Sequence, residues 1–144
     1  MYENDTIRLL RECDAGIKMG VSAIEEVLEY VHDKTFRKLL YDCKENHDKL
    51  MDEIQRELNS VGDEGKEPNP IAKGMSWMKT NMKLVMEESD ATIADLITDG
   101  CNMGVKSLHK YLNQYQNAEE KVKDMTKELI NLEEKLAVDI RSYL

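Results

Sequence analysis

Apolar residues recur at three- and four-residue steps through four long runs of this 144-residue chain. That spacing constrains the fold more than any other feature, because it is the period of one helix face. The first run, about residues 5–31, lines up Ile7, Leu10, Cys13, Ile17, Val21, Ile24, Leu28 and Val31. His32-Asp33-Lys34-Thr35 interrupts it. The second, about 34–60, carries Phe36, Leu40, Cys43, Leu50, Ile54 and Leu58. A third runs over about 90–116, with Ser89 or Asp90 as its N-cap. The fourth, about 118–143, carries Val122, Met125, Leu129, Leu132, Leu136 and Ile140. Asn117, with Glu120 three residues on, predicts a capping box at its start. Each helix is about 40 Å long at 1.5 Å per residue, so the four should close into one bundle.

The connection between the second and third runs decides the topology. Short breaks make the first and second helices one antiparallel hairpin, and the third and fourth another. Between the hairpins lie residues 61–89. They begin with Val-Gly-Asp-Glu-Gly-Lys-Glu-Pro-Asn-Pro, a stretch full of turn formers. Asn69 and Pro70 then suit the N-cap and first position of a shorter helix, about 70–86. Met75, Met78, Met82 and Met86 share one of its sides. A crossover of this length can travel the full bundle and start the third helix parallel to the second. The expectation is therefore one all-α domain over residues 1–144: a four-helix bundle with a long crossover that contains an extra helix.

Charge and cysteine usage narrow the function. Acidic residues outnumber basic ones by 29 to 20, a net charge of −9, and the basic surplus of a nucleic-acid or anionic-membrane binder is missing. No stretch approaches the ~20 apolar residues of a membrane span, and the N-terminal residues lack the pattern of a signal peptide. Cys13, Cys43 and Cys101 are widely spaced, with no zinc-type pairing. They fit reduced thiols in a cytoplasmic protein.

Five stretches carry a resemblance. They are Asp63-Glu64-Gly65-Lys66-Glu67-Pro68, Gly74-Met75-Ser76-Trp77-Met78-Lys79-Thr80, Thr98-Asp99-Gly100-Cys101-Asn102-Met103-Gly104, Tyr111-Leu112-Asn113-Gln114-Tyr115 and Leu132-Glu133-Glu134-Lys135-Leu136. In these runs, and in its helix order, the chain resembles the ferritin-like superfamily, most nearly an uncharacterised bacterial branch. The resemblance implies a bundle in which the first and third helices are neighbours and the second and fourth are antiparallel neighbours. The branch lends no activity. Oxidases of the superfamily hold two metal ions with one Glu from each of two helices and a Glu-x-x-His from each of the other two.

Against that pattern, two candidate ligands stand on inward stripes. His47 lies mid-stripe on the second helix, but Lys44 stands where the motif wants Glu. Glu133 lies on the fourth stripe, but Leu136 stands where the motif wants His. Facing them are Gly20 and Val21 on the first helix, and Gly100, Met103 and Gly104 on the third. With the antiparallel arrangement that the resemblance implies, His47 and Glu133 fall within a turn of each other and can pair across the bundle. One His and one Glu cannot hold a di-iron pair. The expected reading is a core histidine with a hydrogen-bond partner, and a degenerate di-metal site without a cofactor. Iron or manganese bound through His47 and Glu133 is the alternative.

Other features admit plainer readings. Asp14, on the shoulder of the first stripe, should make an edge salt bridge. With His109 and Lys110 at the same level, it could instead form a second polar pocket. Asp95, Asp99, Asn102, Lys106 and Asn113 share one polar side of the third helix and read as a solvated face. Gly16 and Gly20, and Gly100 and Gly104, sit four apart and should let the first and third helices approach closely, with a homodimer contact as the alternative. The third helix is apolar or small over roughly 200°, wider than the stripe of about 100° that a bundle face needs. A homodimer or the Met-rich crossover could cover the excess. Taken together, the residues favour a homo-oligomeric binding or structural protein over an enzyme, with a small-molecule or protein partner that they do not identify.

Overall fold

In a computed structural model, residues 4–68 and 89–144 are described. They form α1 (Asp5–Leu28), α2 (Lys34–Ser60), α3 (Asp90–Gln114) and α4 (Glu120–Asp139), followed by one 3-10 turn, Arg141–Tyr143. Among the described residues every regular element is helical. The expected helix over 70–86, with its methionine stripe, lies outside them.

The helix ends differ from the sequence expectation in instructive ways. The Oδ1 of Asn4 accepts from Ile7 N at 2.9 Å, and the Asp33 carboxylate accepts from Phe36 N at 2.8 Å, so α1 and α2 are capped in the ordinary way. α1 stops at Leu28 rather than Val31, because Tyr30 and Val31 bond back three residues in a tight turn. Val31 is still buried, which is why the stripe reads on past the helix. At α3, Ser89 makes no side-chain cap. The Asp90 carboxylate instead accepts from His32 N and Asp33 N, both at 2.8 Å, and so ties the α1–α2 turn to the start of α3. The Asn117 capping box does not form. α4 begins at Glu120, and α1 serves the preceding turn: Asp5 accepts from Asn117 N at 3.0 Å and Thr6 from Glu119 N at 2.9 Å. α4 ends at Asp139, short of 143, and Tyr143 in the final turn stacks on Phe36 with ring centroids 4.5 Å apart.

These links also fix the directions. Asp90 at the start of α3 touches the residues just before α2, so α2 and α3 start at one end. Asp5 and Asn117 bring the starts of α1 and α4 together at the other end, where Lys121 also pairs with Glu57 near the end of α2. Hence α2 runs parallel to α3 and antiparallel to α4. α1 packs on α2 and α3, α4 packs on α3 and α2, and α1 meets α4 across the diagonal.

The apolar core comes in two parts. One surrounds Ile24, Val27, Phe36, Leu40, Ile97 and Ile140. The other surrounds Leu9, Ile17, Leu50, Ile54, Leu58 and Leu129. Each such buried side chain stabilises the fold by about 1.5–3 kcal/mol. Between the two parts, at mid-bundle, lies a polar layer.

Candidate functional site

The centre of that layer is His47. Its side chain is fully buried, while that of Glu133 is 12% exposed. The Nδ1–H of His47 donates to the carbonyl of Cys43, one turn back on α2, at 2.8 Å. Its Nε2 faces Glu133 Oε1 at 2.9 Å. With Nδ1 bound to a carbonyl, which only accepts, Nε2 carries a second proton whenever Glu133 is ionised, and the pair is then an imidazolium and a carboxylate. Burial opposes that charge. The Cys43 side chain, whose sulfur lies 3.5 Å from Nδ1, the hydrogen bond to Glu133 and the Glu133 charge outweigh it, and together hold the His47 pKa up at about 10.

The other two helices supply space and a thiol. A methyl group at Gly20 of α1 would stand 3.1 Å from Glu133 Oε1 and 3.2–3.3 Å from the His47 ring. Gly20 therefore makes room for the pair. On α3, a methyl at Gly104 would lie 3.9 Å from the Glu133 carboxylate. Cys101 sits beside the same carboxylate. Burial first, then the Glu133 charge and hydrogen bond, push its thiol pKa upward, so it stays protonated. Cys13 is likewise raised to about 12, chiefly by burial, and its sulfur lies 3.0 Å from Thr126 Oγ1. All three cysteines are free.

This donor set does not fit a di-metal centre. Both nitrogens of His47 are engaged, one by a backbone carbonyl and one by the Glu133 carboxylate. Lys44, in the place of the missing motif Glu, pairs with Asp48 and Glu25. Leu136, in the place of the missing His, is buried in the apolar core. Among the described residues, no group of three or more His, Cys, Asp and Glu is arranged to hold an ion.

Asp14 corrects one expectation. It is completely buried, and its partners are Lys18 Nζ at 3.0 Å, Gln55 Nε2 at 2.7 Å and the backbone N–H of Lys66 at 2.9 Å. His109 and Lys110 are exposed and take no part. The carboxylate points toward α2 and the start of the crossover, not toward α3. It anchors residues 61–68 on α1, together with Arg11 on Asp63, Lys66 on Glu12 and Lys18 on Glu67. Gly65 is obligatory there: its φ is +84°, and a methyl would stand 2.3 Å from Asp14 Oδ2.

The glycine pairs correct another. Among the described residues, a methyl at Gly16 would meet only Leu129 at 3.9 Å, and one at Gly100 nothing within 4 Å. Close approach of the α1 and α3 backbones is therefore not their reason. All four glycines line a groove of about 570 Å³ between α1 and α3, with Glu133 in its wall. Periodicity could not reveal the groove, because small residues on a stripe suit close packing and open space equally well. The solvated face of α3 is as expected: Asp95, Asp99, Asn102, Lys106 and Asn113 are all exposed.

Compared with models of protein families, with curated proteins and with solved structures, the chain matches none.

Proposed function

We propose that the chain is a ferritin-like bundle whose di-metal centre has become a buried ion pair, and that it works by binding rather than by catalysis. The observation that carries this reading is the engagement of both His47 nitrogens, with Glu133 as the partner of one. Glycines face the pair from α1 and α3, at the level where metal ligands would otherwise come inward. The parallel course of α2 and α3 supports the ferritin-like arrangement. The protein is a cytoplasmic homodimer in this reading. Met103 on α3, 63% exposed, lies on the side that a second subunit would cover.

The test is metal addition. Iron(II), manganese(II) and zinc(II) should leave the melting temperature unchanged. A ligand that binds only the folded state at a hundred times its Kd stabilises it by about 2.7 kcal/mol, which is easily seen. Stoichiometric metal binding that His47→Leu abolishes would overturn the proposal in favour of a metal-binding bundle.

A further inference from the structure

The polar layer also holds a nucleophile. Cys43, one turn before His47 on α2, places its Sγ 3.5 Å from Nδ1 of His47. The Nδ1–H is thus shared between the carbonyl and the sulfur of Cys43, while Nε2 is held by Glu133 at 2.9 Å. Sulfur, imidazole and carboxylate form a chain, each within reach of the next, which is the arrangement that equips a cysteine for nucleophilic attack. The three cysteines differ in access. Cys13 is 0% and Cys101 3% exposed, whereas Cys43 is half-buried. Burial pushes the Cys13 thiol up to about 12 and the Cys101 thiol upward as well, so neither supplies a thiolate near neutral pH. Cys43 is not among the residues that line the groove between α1 and α3. α2 also lies diagonally across the bundle from α3, so a second subunit over Met103 leaves Cys43 uncovered.

Building on the reading of His47 and Glu133 as an ion pair rather than a metal site, we infer that Cys43 is an oxidation site for hydroperoxides, with His47 as its positioning residue. The reacting species is the thiolate, its proton lost to water. Its sulfur attacks one oxygen of hydrogen peroxide: the S–O bond forms, the O–O bond breaks, and hydroxide leaves with the electron pair, to be protonated by solvent. Sulfur is oxidised by two electrons to a sulfenic acid, and the peroxide is reduced to water. A charge-assisted N–H such as that of His47 holds an anionic sulfur better than a neutral donor does. The charged groups around Cys43 are otherwise occupied. Lys44 on α2 pairs with Asp48 and with Glu25 of α1, and Lys135 on α4 pairs with Asp139. On the α3 side Cys101 stays protonated and adds no charge. Oxidation changes the acceptor at His47 Nδ1, so the state of the thiol is passed to the pair that joins α2 to α4.

The experiment treats the full chain with hydrogen peroxide near neutral pH in the presence of a chelator, traps sulfenic acid with dimedone, and reads each cysteine by peptide mass spectrometry. Cys43 should acquire the adduct at least about tenfold faster than Cys13 or Cys101, and Cys43→Ser should abolish it. His47→Leu/Glu133→Leu, which leaves neither partner unpaired, should slow the reaction of Cys43 about tenfold, because the sulfur then lies in an apolar seam without its donor. In wild type, oxidation should shift the nitrogen NMR signal of His47 Nδ1 and leave those of His32 and His109 in place. Faster oxidation of Cys13 or Cys101 would overturn the inference. So would an unchanged Cys43 rate in the double variant or an unmoved His47 signal; should the double variant not melt cooperatively, the wild-type NMR signal decides. Metal binding through His47, measured without chelator, would sink the reading of the preceding section and leave the chelated reaction interpretable, so the two failures are distinct.

Discussion

Replacing Gly20 with Ala tests whether this glycine exists for the His47–Glu133 pair. On helix propensity alone, Ala is favoured by about 0.8–1.0 kcal/mol in a helix interior. Gly100 should show that gain undiminished, since a methyl there meets nothing within 4 Å among the described residues. At Gly20 the methyl stands 3.1 Å from Glu133 Oε1 and 3.2 Å from His47 Cδ2, so it presses on both partners of a 2.9 Å hydrogen bond. Overpacking a filled interior typically costs about 1–3 kcal/mol. Distorting a hydrogen bond to a charged group forfeits part of a contribution of about 1.5–3 kcal/mol. Set against the propensity gain, Gly20→Ala should be about 1–3 kcal/mol less stable than wild type, and Gly100→Ala about 1 kcal/mol more stable. Urea denaturation with unchanged m-values reads both as shifts of the midpoint. A double-mutant cycle sharpens the assignment: in the His47→Leu/Glu133→Leu background the Gly20→Ala penalty should largely disappear. Equal gains at positions 20 and 100 would refute the reasoning, and so would a penalty that persists without the pair.

The same pair governs two further outcomes. His47→Leu leaves the Glu133 carboxylate buried without its partner and should cost about 1–3 kcal/mol, whereas His47→Leu/Glu133→Leu should be milder than the single change; chemical denaturation of the two variants decides it. Because the folded pKa of His47 is raised from 6.5 to about 10, its stabilising contribution is full below pH 6.5 and lost as pH climbs through 10. Wild type should therefore lose stability between pH 7 and 10 more steeply than the double variant, and nitrogen NMR at pH 8 should find both ring nitrogens of His47 protonated. At the other polar cluster, Asp14→Ala removes the acceptor for Lys18, Gln55 and the Lys66 amide, at a cost of about 1–3 kcal/mol. Hydrogen exchange should accelerate first within residues 61–68, and unchanged protection there would contradict the anchoring role.

Much of the architecture was legible because it rests on periodicity. A stripe at helical spacing names the buried face, and counting 1.5 Å rises from the hairpin turns places residues at levels. That count, with the neighbours implied by the ferritin-like resemblance, puts His47 within a turn of Glu133, and the structure brings them to 2.9 Å. What failed was whatever depends on direction within a level or on irregular backbone. Asp14 lies on the shoulder of its stripe, where a modest rotation decides between α3 and α2. Its partners, Gln55 and a loop amide, have no periodic signal. The Asn117 capping box had the right residues, yet Asp5 and Thr6 of a distant helix took the exposed amides, so tertiary contact overrode local chemistry.

The polar layer also explains why a bundle with ample apolar residues keeps a charged pair between its two apolar clusters. As a stability device it is poor, since desolvating two charges offsets much of their attraction, and apolar replacement is often neutral or better. Its geometry points to two other effects. His47 is tied to its own helix through Cys43 and to α4 through Glu133, so α2 and α4 can mate only in the register that joins them. A slip by one turn, about 5.4 Å, would bury both charges unpaired. The pair also fills the centre without bulk on the α1 and α3 side, where Gly20 and Gly104 leave the wall thin and the groove continuous past mid-bundle. An apolar pair could match the stability. It would lose the unique register, and any side chain large enough to fill the centre from α1 or α3 would close the groove.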